Sequence, residues 1–227
     1  MANLQINLFH VPFSELFEIV RIHYPSSFYD FVKHQINVNS DSGTSLGFIR
    51  LPLHISIDEN LRLQNKAVKT LYISIESGNA SLAMNSGKKT IQHSSISSYM
   101  SRKKQGFSQI KYLNKKGKSR AGSRVRLAKT LEFFEKINEK STAYIEQTNP
   151  DRIAISCTAS LIPYLYQSKV KCPFQKDDPR LYKIPLHIPQ SNYTNLQSAI
   201  KKLMAPILFF DDQNEKELAT FINADSK

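Results

Sequence analysis

The chain has 227 residues, 41% of them hydrophobic and 22% charged, with only 7 Gly and 10 Pro, which excludes fibrous, low-complexity and wholly disordered classes. That length holds one large domain, or one of about 150 residues with a smaller neighbour. The formal net charge of +12 comes from 31 Lys and Arg against 19 Asp and Glu, so its placement along the chain matters more than its size.

Residues 1–66 read as a separate N-terminal unit. Phe13, Leu16, Phe17 and Val20 fall at i, i+3, i+4 and i+7 after Pro12, the spacing of an amphipathic helix. A second short helix is expected from Ser27, with Asp30 three residues on as in a capping box. The polar stretch Asn37 to Ser45 reads as a loop, and Gly47 to Ile57 as a strand pair or extended segment. His10, His23, His34 and His54 lack ligand spacing and take ordinary packing or surface roles.

From Ala67 to Phe210 the pattern is that of an α/β domain with a mixed sheet. Val68 to Ile75 reads as a strand buried on both faces, and turns at Ser77-Gly78-Asn79 and Ser86-Gly87-Lys88-Lys89 lead to strands Ala80–Met84 and Thr90–Ile96. Leu127, Leu131 and Phe134 predict a long amphipathic helix reaching Gln147, stopped by Asn149-Pro150. A buried strand Arg152–Cys157, a helix Leu161–Gln167, a strand Lys183–Ile188 and a helix Thr194–Leu203 follow. Residues 211–227 read as a polar, frayed tail.

The positive charge is one segment. Between Glu76 and Glu132 lie 55 residues with no acid and 13 Lys and Arg, while the remaining 18 basic residues face all 19 acidic ones. Ser101 to Arg126 holds ten of the cations and the glycines Gly106, Gly117 and Gly122. A flexible basic loop that neutralises phosphates fits this composition, and so does a solvated basic linker.

Several chemistries lack their motifs. The sequence has no GxxxxGK[ST], GxGxxG, HExxH or GxSxG. The basic segment carries no carboxylate that could hold Mg²⁺, and Glu76 reads as a strand-end surface residue. Ser156, Cys157 and Thr158 have no adjacent His to activate a nucleophile. Cys157 and Cys172, 15 positions apart and without a CxxC, form neither a zinc site nor a disulfide framework and fit a reducing cytoplasm. No run reaches the roughly 18 apolar residues of a membrane span, and the first residues lack the basic n-region of a signal peptide, so a soluble, unexported protein is expected. Gln109 alone reads as a polar loop residue; an amide does not titrate near neutrality, although it can orient a water by accepting and donating at once.

The runs RKKQGFSQ and KGKSRAGSRVR, followed downstream by DDPRLYKIPLHIPQSNYTNL, resemble the signature of the Vms-like release factor family. These ribosome-rescue proteins are related to the central domain of archaeal and eukaryotic class I peptide release factors. The family pattern is a Lys/Arg-rich Gln-Gly-Gly-Ser-Gln, then a Lys-rich Ser-Ala-Gly entry into a long helix. Gln105, Gly106, Ser108, Gln109, Lys118, Ser119, Ala121 and Gly122 match it, and the second glycine is Phe107. The likeness spans roughly residues 67–203.

The resemblance implies an RNase H-like α/β fold and a loop that enters the peptidyl transferase centre of the large ribosomal subunit. It implies peptidyl-tRNA on a stalled ribosome as substrate, with the nascent chain freed by ester hydrolysis or by tRNA cleavage near the 3' CCA end. Gln109 would be the catalytic residue, positioning the attacking water or 2'-hydroxyl. Arg102, Lys103, Lys104, Gln105, Gly106, Ser108, Lys111, Lys115, Lys116, Gly117, Lys118, Ser119, Arg120, Gly122, Arg124 and Arg126 would contact rRNA and tRNA. No metal or organic cofactor is implied, and a monomer is expected. A non-catalytic ribosome- or RNA-binding module uses the same basic loop and stands as the alternative.

Overall fold

The computed structural model describes residues 4–98 and 121–225. In chain order the elements are β1 (Leu4–Asn7), α1 (Phe13–His23), β2 (Phe28–Asp30), β3 (Gln35–Asn39), β4 (Ser45–Arg50), β5 (Lys69–Glu76), β6 (Asn79–Ser86) and β7 (Lys89–Ser97). After them come α2 (Ala121–Thr148), β8 (Arg152–Cys157), α3 (Ile162–Gln167), β9 (Leu181–Lys183), α4 (Tyr193–Lys202), β10 (Ile207–Phe210) and α5 (Ala219–Asp225). They form two compact units, one made of residues up to Val68 with those from Ile200 onward, the other of Lys69–Ala199.

The first unit is an antiparallel sheet in the order β1-β10-β4-β3-β2. Helix α1 buries Leu16, Phe17 and Val20, the stripe its spacing predicts, in a core with Ile36, Val38, Ile49, Leu208 and Phe221. Two local expectations change. The segment after Ser27 is strand β2, because the Asp30 carboxylate accepts the Lys33 amide at 3.0 Å and closes the turn to β3 instead of capping a helix. The polar stretch from Asn37 begins within strand β3, where Ile36 and Val38 are buried between partly exposed Gln35, Asn37 and Asn39, a period of two that polar residues disguise.

The C-terminal segment also departs from the expectation of an α/β domain to residue 210 and a frayed tail. Strand β10 lies between β1 and β4. Phe221 on α5 and Leu218 before it are fully buried, and Phe221 stacks on Tyr24 at 5.1 Å between ring centroids. The Tyr24 hydroxyl donates to the Glu217 carbonyl at 2.8 Å. Apolar residues spaced across an acidic stretch thus complete the first unit's core.

The second unit is a mixed sheet in the order β7-β6-β5-β8-β9, with β5, β6 and β7 antiparallel and β8 and β9 parallel to β5. Numbered within the unit, the order is 3-2-1-4-5 with only the second strand reversed, the RNase H-like arrangement. The β5–β6 hairpin turns at Ser77-Gly78, where Gly78 takes φ +86°, a conformation natural to glycine. Phe133, Phe134 and Ile137 of α2 pack on Leu71, Ile73, Leu82, Met84 and Ile153. The helix is turned from the Leu127–Leu131–Phe134 stripe: Leu131 is 37% exposed and Phe133 is buried. Strand β9 ends at Lys183, earlier than the expected Ile188, since Pro185 lacks the amide needed to extend the ladder.

Candidate nucleic-acid interface

Strands β5, β7 and β8 run in one direction, so their last residues Glu76, Ser97 and Cys157 share one edge of the sheet. The carboxyl edge of parallel strands is where open α/β sheets bind ligands. Strand β7 leads there towards the basic segment, and the last six residues of that segment are the first six of α2.

Two contacts set the height of α2 against the sheet. The Ser98 hydroxyl donates to the Lys129 carbonyl at 3.2 Å, level with the end of β7. At the far end Lys69, which opens β5, donates its amide to the Asp151 carboxylate at 2.9 Å and its Nζ to the Thr148 carbonyl at 3.1 Å. A helix of 28 residues is about 42 Å long, whereas eight-residue β5 spans roughly 26 Å. Residues 121–128 continue the helix for about 12 Å past its contact with Ser98.

Of the residues singled out from sequence, Gly122, Arg124 and Arg126 lie in these turns. Arg102, Lys103, Lys104, Gln105, Gly106, Ser108, Gln109, Lys111, Lys115, Lys116, Gly117, Lys118, Ser119 and Arg120 lie outside the described residues. The first turn of α2 holds no acid. Cations near a helix N-terminus oppose the macrodipole, so this charge adds nothing to helix stability and adds to the local pull on an anion.

Between the two anchors of the segment opens a cleft of about 260 Å³, lined by Ser97, Ser98, Lys129, Glu132, Phe133 and Lys136. The Lys136 Nζ donates to the Glu132 carboxylate at 2.6 Å. That hydrogen bond holds the Glu132 carboxyl below its usual range and raises the Lys136 ammonium, so the pair stays ionised at neutral pH. Both side chains are exposed, so the pair contributes little stability and leaves the cleft positive through Lys129. Sequence reasoning missed this cleft; its one signal was the i, i+4 spacing of Glu132 and Lys136.

Three further reactive groups of this unit are quiet. Burial pushes the Cys157 thiol up to about 12 and the Cys172 thiol up to about 11, leaving both protonated and poorly nucleophilic at neutral pH. Arg180 grips Asp178 through two hydrogen bonds, of 3.0 and 2.7 Å, which hold the carboxyl below its usual range. Among the described residues no three His, Cys, Asp or Glu side chains cluster as a metal site. Among them, too, no helix is long and apolar enough to cross a membrane.

The second unit is thus an RNase H-like sheet whose chain carries the excess cations between its third strand and a long helix. Residues 70–207, more than half of the chain, match the family described as Bacteroidetes VLRF1 release factor, and the chain belongs to that family. Among solved structures it is similar to the Vms1 mitochondrial localization core, at 12% identity and a TM-score of 0.40, covering 61% of this chain and 56% of that one. This chain thus spans just over half of that structure. No curated protein matches.

Proposed function

We propose that the protein rescues stalled ribosomes by releasing the nascent chain from peptidyl-tRNA on the large subunit. The observation that carries this reading is membership of a release factor family in a chain whose net charge lies in one segment of the sequence, following β7. The segment enters the peptidyl transferase centre, where its Lys and Arg residues neutralise rRNA and tRNA phosphates. Gln109 orients the attacking oxygen: its carbonyl accepts a hydrogen bond from the water or 2'-hydroxyl, and its amide donates to the oxygen on which negative charge develops. RNA supplies the remaining preorganisation, so an amide that does not titrate suffices.

Attack by water at the peptidyl ester frees peptide and intact tRNA; attack by a 2'-hydroxyl on the adjacent phosphate near the CCA end breaks the P–O5' bond, leaving a 2',3'-cyclic phosphate on the shortened tRNA and a 5'-hydroxyl on the short RNA remnant that the peptide still carries. Incubating the protein with stalled ribosome–nascent-chain complexes and resolving free peptide, intact tRNA and shortened tRNA distinguishes these routes. Complexes that bind the protein and keep their full-length peptidyl-tRNA would instead support the non-catalytic module, a reading favoured by Phe107 at the family's second glycine.

A further inference from the structure

The face of the second sheet opposite α2 carries an aromatic pair with no part in the reading above. The His93 ring on β7 lies against the Tyr193 ring on α4, centroids 3.8 Å apart and planes within 12°. Gln197 fixes Tyr193 from one turn further along α4 by donating to its hydroxyl, and its Nε2 also lies 3.4 Å from the Thr90 hydroxyl on β7. Tyr193 covers one face of the imidazole, yet His93 is exposed. Among the described residues no second ring stacks on the imidazole, which leaves its opposite face open to a further stacking partner. Four residues further along β7 is Ser97, about 13 Å away at the usual strand rise, where the chain enters the segment holding ten cations.

A flat, exposed, pre-stacked ring on the strand whose chain continues into a strongly basic segment suits single-stranded RNA, whose bases stack on aromatic side chains while its phosphates follow the cations. Resting on the reading that the basic segment binds RNA, we propose that His93, backed by Tyr193, is a stacking platform for one unpaired nucleobase. The pair is already ordered, so a base that stacks there immobilises only itself. The platform does not pair with base edges, so it accepts any base.

The test uses the full chain and a single-stranded oligoadenylate of about eight nucleotides, beside an abasic strand of equal length and charge. Wild type should bind the oligoadenylate about tenfold more tightly than the abasic strand. His93→Ala should lose that difference without changing abasic binding, and His93→Phe should restore it. Because the chain contains no Trp, His93→Trp creates a single indole whose fluorescence the oligoadenylate should quench and the abasic strand should not. Neutralising Lys115, Lys116 and Lys118 should weaken both strands equally. Equal binding of the two strands by wild type and His93→Ala, with no quenching, would overturn the platform and leave the electrostatic reading intact. If neither strand binds at moderate salt, both fall together.

Discussion

Burial keeps the Cys157 and Cys172 thiols protonated well above their ordinary value of 9.0, and this gives the fold a pH dependence of definite sign. In the unfolded chain both ionise as pH rises through 9, whereas the folded protein retains their protons up to about 11 to 12. The native state holds more protons in that window, so stability is full below pH 9 and falls above it. Tyr72, raised chiefly by burial from its ordinary 10.0, adds to the fall above pH 10. Urea midpoints should be level from pH 7 to about 8.5 and drop by pH 10.5; Cys157→Ala should flatten the drop. Gly47 supplies a second test at this scale. A Cβ there would sit 2.4 Å from the Phe209 carbonyl oxygen on neighbouring β10, so Gly47→Ala should cost about 1–3 kcal/mol by displacing backbone.

Each unit has an element whose anchoring one substitution can test. Asn138 on α2 is fully buried and donates to the Leu165 and Val170 carbonyls, both at 2.8 Å, tying α3 and the following loop to the helix. Asn138→Ala should cost about 2 kcal/mol in denaturant unfolding, since a buried and a partly buried carbonyl lose their donor. On α5, Phe221→Ala should cost about 3–5 kcal/mol, the range for emptying a buried aromatic site; a frayed tail would show no change. The elements legible in sequence were those with one dominant period. The stripe of α1, the apolar runs of β5 and β8, and the turns at Gly78 and Gly87 were read correctly. What escaped depended on distant partners. Strand β3 hides its two buried apolar residues among Gln and Asn, and β10 is a short apolar run whose role is fixed by pairing with strands more than 150 residues earlier. The cations of the candidate site were legible because charge accumulates along the chain. The Lys129–Glu132–Lys136 cleft and the His93–Tyr193 stack were not, because folding alone sets those neighbours.

For the whole molecule, the charge distribution predicts how ribosome binding responds to salt. Segregating the cations between β7 and α2 localises the contact, and about six phosphate contacts would make log affinity fall against log salt with a slope near −5. Neutralising Lys115, Lys116 and Lys118 should reduce that slope by about two to three units in a sedimentation titration; an unchanged slope would place the RNA contact elsewhere. Catalysis requires more than adhesion, and Gln109 separates the two. One neutral amide contributes little to a contact dominated by phosphate neutralisation, whereas losing a positioned transition-state hydrogen bond costs roughly 2.7 kcal/mol or more. The decisive measurement compares wild type and Gln109→Ala on stalled ribosome–nascent-chain complexes, scoring ribosome affinity and release rate together. The expected result is affinity within about twofold of wild type and release slowed about 100-fold or more; release by Gln109→Ala at the wild-type rate would contradict the catalytic account.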